Sequence, residues 1–312
     1  MEKTKYTFLL PAYKVKYLDE MLRSIKNQTF TDYKVVISDD CSPEPIKEVC
    51  MSYLTDSRFS YRRNAENMGG KSLVAHWNLL VDMCDTEFLI MASDDDIYSP
   101  HFLEEVDKLH RKYPKVDLIR ARVLSIDEEG QAIIDDAMYK ECVDNTGFIY
   151  QKHFNNALRC IANCVFRTDV LKAQGGFVEF PLAWYSDDAT VMMMAENGVA
   201  NTADCLFSFR SSTSNISSRK LTHRDAFLKA RATQLFDQWF YTHIEKSRKN
   251  SNMVVNYQLS FAKGVHDRFM HEQFSYMSSN CTVADFIKLL SFYPSVKKKV
   301  KLLYRYLRAQ MK

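Results

Sequence analysis

The run Phe88-Leu-Ile-Met-Ala92 is too short and too closely flanked by breakers for a helix, so it reads as a buried strand. It stops on Asp94, Asp95 and Asp96. Ser99 follows as a candidate N-cap and Pro100 as a first helical residue, and Glu104 and Glu105 fall near the favourable dipole end. A strand, an acidic turn and a helix in that order set three carboxylates at a strand's carboxyl end. In open α/β sheets that edge is the ligand crevice. Adjacent carboxylates repel one another unless a cation or solvent neutralises them, and an all-oxygen set suits Mg2+ or Mn2+. The same residues also read as a solvated turn ahead of a helix.

The chain upstream keeps this rhythm. Residues 6–10 form a short apolar strand ended by Pro11-Ala12-Tyr13, and Leu18, Met21, Leu22 and Ile25 recur at helical spacing. Val35, Val36 and Ile37 make a second strand ending on Ser38-Asp39-Asp40-Cys41-Ser42. Pro43 and Pro45 mark the turn, and residues 46–54 read as a helix. A third strand is expected at 59–62, then a helix over 72–82 with Leu73, His76, Trp77 and Leu80 on one face. Such alternation predicts a largely parallel sheet with helices on both faces. Two acidic turns then face one crevice. A carboxylate there can accept the N3–H of a uracil or a ribose hydroxyl, and another can hold a metal that bridges a diphosphate. Turn capping is the plainer role for Asp39 and Asp40.

Composition narrows the alternatives. At 46% hydrophobic and 26% charged, the 312 residues make an ordinary globular chain, long enough for one large α/β domain and an appendage. A net charge of +3 excludes a polyanion binder built on overall charge. Eight scattered cysteines and an N-terminus without an apolar leader fit free thiols in a reducing cytoplasm. Cys160 and Cys164 have chelating spacing, but no second Cys/His pair completes a zinc site. No run of about 18 apolar residues offers a membrane span. Gly70-Lys71-Ser72 has the ending of a phosphate-binding P-loop, yet the opening glycine of that pattern is Ala65 here.

Pro11-Ala12-Tyr13, Gln28-Thr29-Phe30, Ser38-Asp39-Asp40-Cys41-Ser42, Asn67-Met68-Gly69, Ala92-Ser93-Asp94-Asp95 and Ser186-Asp187-Asp188 are individually weak. In this order and spacing they resemble the family 2 glycosyltransferases of the GT-A fold, over roughly residues 5–217. The resemblance implies an α/β, Rossmann-like sheet, mixed and mostly parallel, flanked by helices. Residues 1–218 would be the nucleotide-sugar-binding catalytic domain and 219–312 a helical C-terminal appendage. Asp40 would contact the nucleobase, Asp94 the ribose, and Asp95 the Mg2+ or Mn2+ that neutralises the leaving diphosphate, with Asp96 a spare carboxylate at the metal. Pro11, Ala12 and Tyr13 would line the nucleotide, Asn67 and Gly69 would shape its loop, and Lys71 would approach a phosphate or stay solvated. The chain departs from the pattern at Ala92, where many members have an Asp, and at Cys41, where Gly is usual. A His that many relatives carry two residues past Arg210 is Ser212 here, which leaves Arg210 to meet the diphosphate charge.

Downstream, residues 118–123 read as a fifth strand, 127–136 as a surface hairpin and 139–156 as an unpatterned acceptor-side loop. A strand at 163–167, a helix at 168–173 and the Gly175-Gly176-Phe177 turn lead to a helix whose apolar side is Val191, Met194 and Ala195 and which ends at Gly198. By the resemblance, the acidic pair at its start supplies the general base, and counting back from Gly198 places it on Asp187, beside Asp188. A carboxylate there removes the acceptor hydroxyl's proton as the anomeric carbon is attacked opposite the diphosphate, which inverts the centre. N-capping is the plainer role for Asp187. Trp184 and Tyr185 offer a stacking face for a sugar.

A late strand at 205–210 and a polar loop at 211–218 precede helical patterns from about 221 onward. The last segment carries Lys297, Lys298, Lys299, Lys301, Arg305, Arg308 and Lys312 without an acid, interspersed with Val300, Leu302, Leu303, Tyr304, Tyr306 and Leu307. Such a basic amphipathic helix either packs on its own domain or lies on an anionic membrane surface. The whole chain is expected to be a cytoplasmic inverting glycosyltransferase, peripheral to the membrane's inner face. It would move a sugar from a nucleoside-diphosphate sugar, UDP-sugar favoured, to a saccharide or lipid-linked acceptor in cell-surface polysaccharide synthesis, with no nucleic-acid partner. The alternatives are a non-catalytic sugar-nucleotide binder and a nucleotidyltransferase, which needs a Gly-rich basic loop that residues 11–17 lack.

Overall fold

The computed structural model describes residues 4–154, 158, 160–213, 215, 220–247, 252–292 and 296–310. The first half follows the expected alternation: β1 (Tyr6–Ala12), α1 (Leu18–Lys26), β2 (Tyr33–Asp39), α2 (Ile46–Cys50), β3 (Phe59–Arg63), α3 (Gly69–Met83) and β4 (Phe88–Met91). β3, β2, β1 and β4 lie side by side and parallel, so their carboxyl ends share one edge. There follow β5 (Ile97–Tyr98), α4 (Phe102–Lys112), β6 (Leu118–Ile126), β7 (Ala132–Asp135), β8 (Cys142–Val143), α5 (Asn145–Phe154), β9 (Cys164–Arg167), α6 (Thr168–Ala173), α7 (Ser186–Met194) and β10 (Val199–Arg210). β9 is wedged antiparallel between β4 and β6, β10 runs parallel to β6, and β5 closes the sheet antiparallel on β10. The sheet is therefore mixed, with most paired residues in parallel ladders.

Strand alternation explains the two layers. Phe8 and Leu10 of the central β1 point into one layer with Leu18, Met21, Leu22 and Ile25 of α1 and Phe102 and Val106 of α4. Leu9 points into the other, with Val74 and Leu80 of α3 and Val191 and Met194 of α7. The four α1 side chains come from the i, i+3, i+4, i+7 set, and burying each contributes about 1.5–3 kcal/mol. Pro11 stays inside β1, which runs two residues past the expected end, to Ala12. Leu9 accepts the Ala92 N–H on the β4 side and Ala12 accepts the Asp40 N–H on the β2 side. Pro11 therefore faces the β4 side beyond the last residue of β4, where no N–H is needed.

Several expected boundaries move. The helix after the acidic turn begins at Phe102, not beside Pro100, because Ile97–Tyr98 first pairs with β10. The Tyr98 ring is buried against Phe8, Phe102 and Phe207 and draws the chain into the sheet. Ser99 Oγ only accepts from the His101 N–H at 3.4 Å. α2 stops at Cys50, and the chain then turns so that the Tyr53 hydroxyl reaches the Asp19 carboxylate at 2.8 Å. α3 starts early, at Gly69, and is broken at Ser72. Residues 139–154 are not a loop: β8 and α5 occupy them, with Phe148 and Ile149 buried and Lys152 turned inward. That inward lysine breaks the apolar period that sequence reading relies on. Asn155 and Asn156 lie outside the described residues.

The C-terminal region contains α8 (His223–Ser247), α9 (Met253–Ser279), α10 (Val283–Ser291) and α11 (Val296–Gln310). Asn252 and Thr282 cap α9 and α10 by accepting the N–H of Val255 and Asp285. α8 and α9 pack onto α5 and α7 through Phe236, Phe240, Leu259, Ile149 and Met192. The expected domain boundary, 218/219, falls outside the described residues. Among the described residues no helix is long and apolar enough to cross a membrane.

Candidate active site

A cleft of about 770 Å3 opens at the carboxyl edge of the parallel strands. β2 runs out at Asp39, and the next carboxylate, Asp40, is clamped in the cleft wall. Its Oδ1 accepts from Asn64 Nδ2 at 2.8 Å and the Met68 N–H at 2.9 Å, and its Oδ2 accepts from the Gly69 N–H at 2.7 Å. A Cβ on Gly69 would sit 2.9 Å from that Oδ2, so glycine there lets the loop close without displacing the Asp40 carboxylate. Asn67 continues the loop by accepting the Gly70 N–H at 2.6 Å. Asp39, fully buried, is a turn residue: it accepts from the Ser42 N–H at 2.9 Å, from the Tyr61 hydroxyl at 2.6 Å and from the Arg63 guanidinium.

The acidic turn after β4 is tied to the end of β1. Asp94 Oδ2 accepts the N–H groups of Tyr13 and Lys14, both at 2.8 Å. The Lys14 ammonium lies 3.1 Å from Asp95 Oδ2 and 3.6 Å from Asp94 Oδ1. Burial lifts the Asp94 carboxyl above the usual range despite Lys14. Burial also draws the Lys14 ammonium down, but Asp94 and Asp95 outweigh it and raise it above the ordinary lysine value. Asp96 is engaged from behind. Its carboxylate accepts from the Ser93 hydroxyl and, at 2.9 Å, from the Arg210 N–H, and burial, followed by the charge of Asp95, pushes it up.

The two expected metal ligands both line the cleft but differ in partners: Asp95 faces the Lys14 ammonium, whereas Asp96 accepts from Ser93 and the Arg210 N–H. Among the described residues no cluster of three or more His, Cys, Asp or Glu can hold a metal ion. Asp95 still fits one, because Mg2+ is commonly bound by one or two carboxylates with substrate phosphates and water completing its shell.

Arg210 is placed elsewhere than expected. It is 1% exposed, stacks 4.3 Å from the Tyr17 ring, and donates to Asp95 O at 3.0 Å, Glu128 O at 3.0 Å and Glu20 Oε2 at 2.6 Å. Its guanidinium therefore backs the acidic turn and does not line the cleft. Lys71 pairs on the surface with Glu66 at 2.6 Å, also outside the cleft. Ala12 is buried beneath it, and Pro11 and Tyr13 line it. Cys160 and Cys164 both reach Asn163 Oδ1 at 3.4 Å, and burial pushes both thiols up, Cys164 to about 12, which suits packing rather than chelation.

Asp187 and Asp188, at the start of α7, line the same cleft. The turn before them is strained: Leu182, Ala183 and Tyr185 hold φ of 58°, 54° and 70°, conformations that cost non-glycine residues of order 1–3 kcal/mol each. Neighbours hold it in place. Ser186 Oγ accepts the Phe180 N–H at 3.2 Å, Tyr185 stacks on Phe236 of α8 at 4.9 Å, and Lys229 sits 4.0 Å over the Trp184 ring. Asp188 is buried and paired with Lys152 of α5 at 2.7 Å, while Asp187 is the more accessible of the two. Phe269 of α9 completes this wall with Trp184. Sequence reasoning missed Lys14, Lys152 and Phe269. Lys14 adjoins a recognised motif, whereas the other two come from helices whose own patterns say nothing of a cleft.

Parallel strands with carboxylates at their carboxyl edge, faced by an acid at the start of a later helix, define a fold of the GT-A glycosyltransferase kind. The chain belongs to glycosyl transferase family 2, whose model matches residues 7–175. It is 28% identical over 137 residues to an uncharacterized glycosyltransferase of Methanocaldococcus jannaschii, covering 43% of this chain and 46% of that one. It is 24% identical over 144 residues to the poly(ribitol-phosphate) beta-N-acetylglucosaminyltransferase TarS of Staphylococcus aureus, covering 44% and 23%. The chain thus spans less than half the length of these relatives. Among solved structures, S. aureus TarS 1-349 in complex with UDP-GlcNAc matches with a TM-score of 0.67 at 18% identity, over 98% of this chain and 88% of that one. The Pyrobaculum calidifontis mannosyltransferase PcManGT in complex with GDP-Man and Mn2+ matches at 0.56 and 13% identity, over 99% and 86%. At these identities the likeness is one of fold.

Proposed function

We propose that this protein is an inverting glycosyltransferase that moves a sugar from a nucleoside-diphosphate sugar, with UDP favoured, to a saccharide or lipid-linked acceptor in the synthesis of a cell-surface polysaccharide. The observation that carries the reading is that the Asp94-Asp95 turn and Asp187 line one and the same cleft. In this reading Tyr13, Asp40 and the Asn67–Gly69 loop hold the nucleoside, and the Asp94 turn holds the ribose. Asp187 accepts the proton of the acceptor hydroxyl while that oxygen bonds to the anomeric carbon. The bond from that carbon to the diphosphate breaks, its electron pair leaving with the nucleoside diphosphate. Asp188, paired with Lys152, supports the base turn. Asp95 would hold the Mg2+ or Mn2+, which neutralises charge on the departing diphosphate. The eight free thiols suit a cytoplasmic setting.

Calorimetric titration of UDP, GDP, CDP and ADP, each with and without Mn2+, into wild type and Asp95→Ala tests the reading. One nucleotide is expected to bind with a metal-dependent affinity that the variant loses. Absence of binding by every nucleotide under both conditions would overturn it.

A further inference from the structure

Helix α11 is packed along one face and bare along another. Leu302 and Tyr306 point inward, and Tyr306 stacks on Phe286 of α10 with ring centroids 3.9 Å apart. Its hydroxyl donates to the Cys281 carbonyl at 3.3 Å. Val300, Leu303, Tyr304 and Leu307 are 61%, 42%, 65% and 53% exposed. Their spacing of three, one and three residues makes a single stripe on the outer side of the helix.

The charge pattern says what this stripe suits. From Pro294 to Lys312 the chain has seven Lys or Arg and no Asp or Glu. In the sequence the basic positions 297, 301, 305 and 308 recur at three- and four-residue spacing, and of these Arg308 is exposed. A bilayer containing anionic lipid offers both complements at once: acyl chains below the headgroups and phosphates at their level. A second copy of this chain would instead bring one cationic row against another.

We propose that α11 docks this protein on an anionic lipid bilayer. Val300, Leu303, Tyr304 and Leu307 enter the headgroup–acyl boundary, and the cations of the segment, Lys299 and Arg308 among them, meet the lipid phosphates. α11 packs on α9, the helix that lends Phe269 to the cleft wall, so the docked helix and the Asp187 side of the cleft belong to one packed unit. The proposal is independent of the donor chemistry, and its test reads lipid binding alone.

The test is flotation of the full chain with vesicles of phosphatidylcholine, alone or with about 30 mol% phosphatidylglycerol. Two variants are compared with wild type: Leu303→Ser/Leu307→Ser, and Lys299→Glu/Arg308→Glu. Wild type is expected to bind the anionic vesicles at least about tenfold more tightly than the neutral ones, and each variant to lose about tenfold of that binding. Unchanged melting temperature checks that the variants fold. If the leucine pair does not fold, Tyr304→Ser takes its place with the same expected loss in direction. Failure of wild type to bind anionic vesicles would overturn the proposal, as would variants that bind as wild type does. So would a wild-type dimer in light scattering that the leucine pair converts to monomer.

Discussion

Lys152 and Asp188 form a buried ion pair, 2.7 Å apart and with side chains 8% and 4% exposed, directly beside the base turn. Lysine comes from α5 and aspartate from α7, so the pair locks the two helices together at the cleft. Removing only the cation leaves a buried carboxylate without it, which costs about 3–5 kcal/mol, whereas removing both groups costs less. Lys152→Met is therefore expected to be markedly less stable than wild type, and Lys152→Met/Asp188→Leu to recover at least half of the loss. Urea unfolding of Lys152→Met, Asp188→Leu and the double variant reads the coupling directly.

Under the proposed function, Asp187→Asn removes the proton acceptor and leaves the Asp40 and Asp94 turns untouched. Turnover should fall by about 10²–10⁴, the usual contribution of a positioned base, while nucleotide affinity stays within a factor of two or so. Steady-state kinetics beside calorimetry gives both numbers. An equal loss in affinity would mean that Asp187 holds the donor instead.

Lys14 and a divalent cation would compete for Asp95, since the ammonium already lies 3.1 Å from it. Lys14→Met should bind Mn2+ in the absence of nucleotide about tenfold more tightly than wild type, because a nearby positive charge is gone. Paramagnetic resonance of free Mn2+ measures this without reference to catalysis. Identical Mn2+ affinities would show that Asp95 is not where the ion goes.

Gly69 and Asp40 touch so closely that a single methyl group should separate them. Gly69→Ala forces its Cβ to within 2.9 Å of Asp40 Oδ2 unless the loop moves. Nucleotide affinity is expected to drop about tenfold or more as the Asn67–Gly70 turn opens, with the melting temperature changed by only a few degrees. A variant that binds nucleotide normally would place the nucleoside away from this loop.

His243 gives the helical region an acid sensitivity. It stacks on Trp239 at 4.8 Å, and burial, helped by Lys246, pushes its imidazole down to about 4. The unfolded chain takes up a proton near pH 6.5 and the folded chain only near 4, so stability is complete above that window and falls as pH drops through it. The loss at about pH 5 relative to about pH 7.5 should be about 2 kcal/mol. His243→Gln should flatten that part of the stability curve, read by urea unfolding at both pH values.

The donor side was legible because each of its acids follows an apolar strand with little chain between. Asp40, Asp94 and Asp95 could be assigned to one sheet edge from periodicity and turn residues alone. Arg210 was expected in the cleft and Lys71 was left between a phosphate and solvent, because a charge near a motif does not reveal its direction. Arg210 turns into the protein to support the acidic turn, and Lys71 turns out to Glu66. Lys152 was hidden by the residue type that makes it matter, since an inward lysine erases the apolar stripe by which a helix is recognised. Phe269 sits in a long helix of mixed polar and apolar residues, in which an aromatic of the cleft and an aromatic of the core look alike.

The strained turn at Leu182–Tyr185 has a consequence for inheritance. It is pinned by Phe236 and Lys229 of α8, far beyond the stretch that the family model matches, and not by the strands that carry Asp40 and Asp94. Of the contacts that support the proposed base turn, only the Lys152–Asp188 pair draws on the stretch that carries Asp40 and Asp94; the ring contacts come from α8. Under the proposed function, exchange of the C-terminal helices would keep the strands that carry Asp40 and Asp94 and remove the Phe236 and Lys229 contacts that brace the turn before Asp187.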